Sequence, residues 1–283
     1  MYIFKTVVAL QQFLNDRKEE GKKIGFAPTM GALHQGHLSL IRESQKDNQI
    51  SVCSIFVNPK QFNDPNDYNK YPITTNADIE LLESVDCDVL FLPSISEIYP
   101  NHIVTKINID IGHFSKVMEG EFRPGHFQGM MEVVKRLLEI VQPDNLYMGQ
   151  KDFQQFSIIR LMIQKLSLPY HLVMCPIKRE ADGLAMSSRN VRLTPEGREN
   201  AHYIYDILCQ AKSMVRTHTP TQIEEWAMDS LYEHKGFKPE YFRIVDVNTL
   251  LPVWDWNDAE DIIACVATWI DDVRLIDNMV LKP

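Results

Sequence analysis

Between residues 24 and 175 short apolar runs alternate with stretches of helical period, and this alternation restricts the fold more than any other feature of the chain. Residues 24–27, 49–57, 88–92, 145–148 and 170–175 have the length and apolar content of strands, and 49–57 suits a strand buried on both faces. Apolar residues recur at helical spacing over 6–20, 38–47, 75–85, 128–141 and 152–166, with Gly21 and Pro143 placed as stops. Strand and helix in turn predict an α/β fold with a doubly wound, Rossmann-like parallel sheet and right-handed crossovers. Ligands of such sheets bind beyond the carboxyl ends of the strands. The residues that immediately follow each strand are therefore the candidates.

The character of the sequence changes after Arg189. Thr194-Pro195 starts a long helix to about residue 214, a second helix covers 221–234, and 237–247, 261–270 and 273–281 read as strands, the last two joined by a tight turn at Asp271-Asp272. The expected organisation is a first domain over 1–176 and a smaller α+β domain over 177–283. Trp226, Trp254, Trp256 and Trp269 are expected to serve packing. A net charge of -9 argues against a non-specific nucleic-acid binder, so basic residues gathered at one place carry meaning. Five cysteines, never in C-x-x-C spacing, read as buried thiols of a reducing compartment. No signal peptide or membrane-length apolar run is seen, and a cytoplasmic location is expected.

Four post-strand loops carry chemistry. The first is Pro28-Thr29-Met30-Gly31-Ala32-Leu33-His34-Gln35-Gly36-His37, a strand, tight turn and helix start. Helix N-termini offer unpaired N–H groups and a positive dipole end, which favour an anion. His34 and His37, three apart, are expected on one helix face, while Gly31 allows a sharp turn and Gly36 a close approach. The spacing from Gly31 to Leu38 is that of a P-loop, but His37 and Leu38 stand where that loop needs Lys and Ser/Thr, and no G-x-G occurs in the chain. A metal site lacks a Cys or carboxylate within the motif. What remains is the HxGH pattern of the nucleotidylyltransferase superfamily, whose members join an acid or phosphate to a nucleotide α-phosphate and release pyrophosphate.

The second loop opens Asn58-Pro59-Lys60-Gln61-Phe62, where the amides of Asn58 and Gln61 suit a small hydroxylated acid, although a capped, solvated turn explains them as well. Its length, 58–72 with three prolines, marks it as a candidate lid. The third is Gly149-Gln150-Lys151-Asp152, with Gln154 and Gln155 one turn on. Lys151 is on the wrong end of a helix dipole, which an anion would explain, as would a lysine head in water. The fourth, 178–190, includes Lys178, Arg179, Met186, Ser187, Ser188, Arg189 and Asn190, with the hydroxyls of Ser187 and Ser188 and the guanidinium fork of Arg189 suited to phosphate. It stands where the superfamily has its second signature, KMSKS.

Taken together, PTMGALHQGH, FVNPKQF, EGEFRPGHFQG, GQKDFQQ and ADGLAMSSRN, in this order and spacing, resemble the pantoate-beta-alanine ligase (pantothenate synthetase) family over nearly the whole chain. Ile73, in the Tyr-Pro-x-Thr stretch, stands where a basic residue is expected in many relatives. The resemblance implies an ATP-dependent ligase that joins pantoate to β-alanine through a pantoyl adenylate, with Mg2+ accompanying ATP and a homodimer as the assembly. It implies ATP contacts from Met30, Gly31, Ala32, Leu33, His34, Gln35, Gly36, His37, Gly149, Gln150, Lys151, Asp152, Met186, Ser187, Ser188 and Arg189, and from the backbone of Lys178. Pantoate would be oriented by Gln61 and Gln155, with Asn58 beside them. His37 would be the proton donor, and His34, Lys151 and Arg189 would act with it on the reacting phosphate. The segment 121–129, with Arg123 and His126, falls near the site without an assigned role. A nucleotidyltransferase using a phosphorylated acceptor should want cations where this chain has Gln61 and Gln155. A regulator that had lost catalysis should have lost His37, Lys151 or Arg189.

Overall fold

The computed structural model describes residues 1–62, 65–101 and 105–282. The chain divides into two compact units, Met1–Gln150 with Gln155–Pro176, and Lys151–Gln154 with Ile177–Pro283. Lys151–Gln154 thus group with the second unit although the chain on either side of them belongs to the first.

The first unit runs β1 (Tyr2–Phe4), α1 (Val7–Glu19), β2 (Ile24–Thr29), α2 (Gln35–Asp47), β3 (Ile50–Ile55), α3 (Pro65–Asn69), α4 (Thr75–Glu83), β4 (Val89–Phe91), α5 (Ile95–Ile98), α6 (Glu119–Phe122), α7 (His126–Val141), β5 (Asn145–Gly149), α8 (Phe153–Lys165) and β6 (His171–Cys175). Its strands form one parallel sheet in the order β1-β4-β3-β2-β5-β6. β1 escapes the sequence reading because it has only three residues, mostly exposed, and pairs at the sheet edge with β4. Side chains alternate across each strand, so Phe26, Val52 and Leu146 join the core with α1 and α7, while Ala27, Cys53 and Tyr147 join the core with α2. From β2 the chain steps through β3 to β4 on one side, then returns to β5 and β6 on the other. The strand order therefore reverses between β2 and β5, and the crevice of a doubly wound sheet opens at their carboxyl ends.

The helices follow their caps. Thr6 caps α1, whose Leu10 and Leu14 are buried, and α7 ends at Gln142 in the left-handed region just before Pro143. The lid expected from the 58–72 loop includes Asn63 and Asp64, which lie outside the described residues; Pro59–Gln61 form a short 3-10 turn and α3 follows.

The second unit contains α9 (Pro195–Asn200), α10 (Tyr203–Met214), α11 (Pro220–Glu233), β7 (Phe237–Asp246), β8 (Ile262–Ile270) and β9 (Val273–Lys282). The strands form an antiparallel sheet, β7-β8-β9, backed by the apolar sides of α10 and α11. One long helix was expected to residue 214; two are found. At the break the His202 ring bonds the Glu199 carbonyl at 2.8 Å. Thr219 and Gln222 form a capping box that starts α11. Trp226 and Trp256 pack on the core as expected, whereas Trp254 is 69% exposed. Cys53, Cys87, Cys175 and Cys265 are buried, but Cys209 faces out from α10, against the expectation for the thiols as a group.

Candidate active site

The turn after β2 is built by backbone that few residues adopt. Gly31 and Ala32 both have positive φ, +83° and +48°, and a Cβ on Gly31 would meet Ile55 and Asp78. Asp78, on α4 and only 1% exposed, accepts the N–H groups of Ala32 at 3.0 Å and Leu33 at 2.8 Å, and the Thr74 hydroxyl at 3.0 Å. The Thr29 hydroxyl oxygen accepts the Gly31 N–H at 3.2 Å while donating to the Ser54 carbonyl at 2.7 Å. No sequence pattern points to Asp78, whose backbone partners lie 45 and 46 positions away.

His34 is the N-cap of α2, one residue outside the helix, rather than a member of its face. Its Nδ1 accepts the Gly36 N–H at 3.1 Å, and Nδ1 of His37 accepts the His34 N–H at 3.3 Å; the ring centroids are 4.1 Å apart. A nitrogen that accepts carries no proton, so each neutral imidazole holds its proton on Nε2. The N–H groups of Gly31, His34 and Gly36 are engaged within the turn, and those of Ala32 and Leu33 by Asp78 of α4. The two imidazoles add Nε2–H donors to whatever backbone N–H groups the turn presents.

After β3, Asn58 uses its whole amide on protein. Its NH2 donates to Gln61 Oε1 at 3.2 Å and the Gly129 carbonyl at 3.1 Å, and its oxygen accepts the Lys60 N–H at 3.2 Å and the Tyr99 hydroxyl at 2.8 Å. Two donors and two acceptors saturate a carboxamide. Asn58 was expected beside substrate; its geometry makes it the residue that positions Gln61. Gln61 is buried, and its Nε2 lies 2.8 Å from Met30 Sδ, which joins the second loop to the first. Lys60 sits over the Tyr99 ring and reaches Glu132 at 3.3 Å. Burial and the Glu132 charge push the Tyr99 hydroxyl well above its usual range, so it remains a donor to Asn58.

The segment 121–129 gains a role here. His126, buried, donates from Nδ1 to the Gln61 carbonyl at 2.7 Å, the tautomer opposite to that of the two motif histidines. One turn on, a Cβ at Gly129 would lie 2.0 Å from the Lys60 carbonyl oxygen. Only glycine lets α7 approach the 58–61 turn this closely. The third loop follows β5, the neighbour of β2: nothing lies within 4 Å of a Cβ built on Gly149, Gln150 continues the turn, and Gln155 is half-buried on α8. Met30, Gly31, Ala32, Leu33, His34, Gln35, Gly36, His37, Gly149, Gln150, Gln155 and Gln61 thus follow β2, β3 and β5, three adjacent strands.

The second unit holds the other candidates. Lys151 has its Nζ 3.9 Å from the Asp152 carboxylate, and its carbonyl accepts the Asn278 side-chain amide at 3.0 Å. The fourth loop starts as a small hairpin, in which Arg179 bridges Ala185 and the Lys178 carbonyl accepts the Met186 N–H at 2.9 Å. Lys178 is exposed. Ser187 then turns the chain, its hydroxyl accepting the Arg189 N–H at 3.2 Å and its carbonyl the Asn190 N–H at 3.0 Å; Ser188 lies between them in the same turn. Arg179 is forked onto Asp277 at 2.5 and 3.0 Å.

Among the described residues no cluster of three or more His, Cys, Asp or Glu could hold a metal ion, and no helix is long and apolar enough to cross a membrane. Residues 2–280 match the family described as pantoate-beta-alanine ligase. A pantothenate synthetase of Porphyromonas gingivalis is 46% identical over 279 residues, 99% of each chain. The structure of pantothenate synthetase from Thermus thermophilus superposes with a TM-score of 0.93 at 38% identity over the whole of both chains. A Francisella tularensis pantoate-beta-alanine ligase, crystallised with beta-gamma ATP and beta-alanine, gives 0.83 at 37% identity, covering 99% of this chain and 98% of that one. By its sequence over nearly its full length, and by its fold, the chain belongs to the pantoate-beta-alanine ligase family, a family of ligases.

Proposed function

We propose that this chain condenses pantoate with β-alanine at the expense of ATP, in two steps. The pantoate carboxylate attacks the α-phosphate and pyrophosphate leaves; the β-alanine amine then attacks the acyl carbon of the pantoyl adenylate and AMP leaves. The observation that carries this reading is the paired imidazoles after β2, each with Nδ1 accepting a backbone N–H and hence with an Nε2–H donor. In the first transition state negative charge gathers on the phosphate oxygens, and donors fixed beforehand meet it without reorganising. His37 acts as proton donor with His34 beside it, and Lys151 and Arg189 add positive charge.

ATP takes its further contacts from 30–36, from Gly149, Gln150 and Asp152, from Met186, Ser187 and Ser188, and from the backbone of Lys178. Gln61 and Gln155 orient the hydroxyls and carboxylate of pantoate, with Asn58 fixing the first of them. Magnesium enters with the ATP phosphates as part of the substrate, and no step is routed through a metal held by protein. A homodimer and a cytoplasmic location complete the proposal, supported by the family resemblance. The test incubates purified protein with ATP, Mg2+, pantoate and β-alanine and identifies products by mass spectrometry. Equal amounts of pantothenate and AMP are expected; ADP, or a product lacking the β-alanine nitrogen, would overturn it.

A further inference from the structure

Along β9 the buried positions alternate through Val273, Leu275 and Asp277, and then Asn278 is buried as well, so the alternation breaks at two consecutive polar residues. Adjacent side chains of a strand point to opposite faces. Asp277, 3% exposed, takes the Arg179 fork, and Asn278, 2% exposed, donates to the Lys151 carbonyl at 3.0 Å. Arg179 has more partners: it donates to the Gly183 carbonyl at 3.0 Å and to the Asn278 carbonyl at 3.3 Å, and it lies over the Tyr205 ring at 4.3 Å. Asp277 is in phase with Val273 and Leu275, a position an apolar residue could fill. Burying a carboxylate there is costly even when it is paired.

We infer that Asp277 and Asn278 are positioning residues for the two loops of the second unit that bear nucleotide contacts. Asp277 acts through Arg179, which pins both arms of the hairpin leading into Met186, Ser187, Ser188 and Arg189. Asn278 fixes the main chain at Lys151. One strand thus sets two loops that are well separated in sequence, and β9 is the element they share. The inference rests on the proposed roles of Lys151 and Arg189 toward ATP.

The experiment measures steady-state kinetics and urea midpoints for Asn278→Leu, Arg179→Lys and the double variant Arg179→Met with Asp277→Leu, beside Lys151→Met and Arg189→Ala. Replacing a buried ion pair by apolar residues of similar volume is often neutral or stabilising, so the double variant separates folding from positioning. The expected result is a KM for ATP raised about tenfold in each variant, with the KM for pantoate changed less than about twofold and the double variant's midpoint kept. Arg179→Lys keeps the charge and loses the fork, so it provides the readout if the double variant does not fold. ATP kinetics like those of the parent in Asn278→Leu and Arg179→Lys, with Lys151→Met and Arg189→Ala impaired, would overturn the inference alone. Parent-like ATP kinetics in Lys151→Met and Arg189→Ala would overturn the nucleotide reading beneath it.

Discussion

Asp78 in the first unit and Asp277 in the second are nearly equally buried, at 1% and 3% exposure, yet they are compensated differently. Asp78 is met by two backbone N–H groups and a hydroxyl; Asp277 is met by the Arg179 guanidinium and by the backbone N–H of its neighbour Asn278 at 2.7 Å. A carboxylate bound to N–H groups fixes the path of the main chain. One bound to arginine also fixes a side chain, which then holds other carbonyls. The first device shapes the single turn that bears His34 and His37, and the second spreads over the hairpin at 179–185 and, through the adjacent Asn278, the Lys151 loop. The difference matches the two sheets. In the parallel sheet's unit the residue that reaches the turn sits on a helix, whereas in the antiparallel sheet's unit it sits within a strand.

The largest effect should come from the donors that the Asp78 turn carries. His37→Ala is expected to cut turnover by about 10²- to 10³-fold, as loss of one preorganised donor does elsewhere, with His34→Ala close behind. Parent-like rates in both would detach the turn from the chemistry. Next is Asp78→Ala, which leaves two N–H groups of a buried turn unpaired and should cost about 1–3 kcal/mol in urea unfolding, with turnover falling too. If stability fell and turnover did not, Asp78 would support the fold alone. Asn58→Ala should raise the KM for pantoate about tenfold with little change for ATP, because the Gln61 amide loses its anchor. An unchanged pantoate KM would return Asn58 to a purely structural place.

A smaller effect separates the two aspartates by pH. Burial raises the Asp277 carboxyl above its ordinary value of 3.8, against the pull of Arg179. The folded state then keeps this proton to higher pH than the unfolded state. Its contribution to stability is accordingly present below the unfolded value and lost as pH rises through the folded one. Subtracting the unfolding free energy of Asp277→Asn from that of the parent should leave a term that falls as pH rises above the ordinary carboxyl value; a rising term would mean that Arg179 wins over burial. The smallest effect tests packing alone. Burial pushes the Cys87 and Cys175 thiols up to about 11, and raises Cys53 well above its usual value, while Cys209 is exposed. A disulfide reagent at neutral pH should therefore titrate one thiol of the native protein quickly and the rest only on unfolding.

How much of this could be read from sequence depended on range. The strand-helix alternation and the turn at 28–37 are local patterns, and both are found in the structure, as is Thr194 as a cap. What escaped depends on partners far along the chain. Asn58 meets Gly129 across 71 residues, and Arg179 meets Asp277 across 98. Periodicity can say that such a residue is polar; it cannot say that the polar group is already used. The same limit made His34 look like a member of a helix face, because its capping role depends on where the helix begins. Gly129 was visible as a glycine within a helical period, a feature that points to close backbone approach, but not which backbone would come near.

The central claim is that the turn after β2 supports adenylate formation from pantoate. Isotope exchange between pyrophosphate and ATP tests it most directly, with pantoate and Mg2+ present and β-alanine left out. The account predicts exchange with pantoate alone, none with β-alanine alone, and its loss in His37→Ala. Absence of exchange in a protein that still binds ATP and makes pantothenate from the full mixture would contradict it, since the carboxylate would then not be activated before the amine arrives.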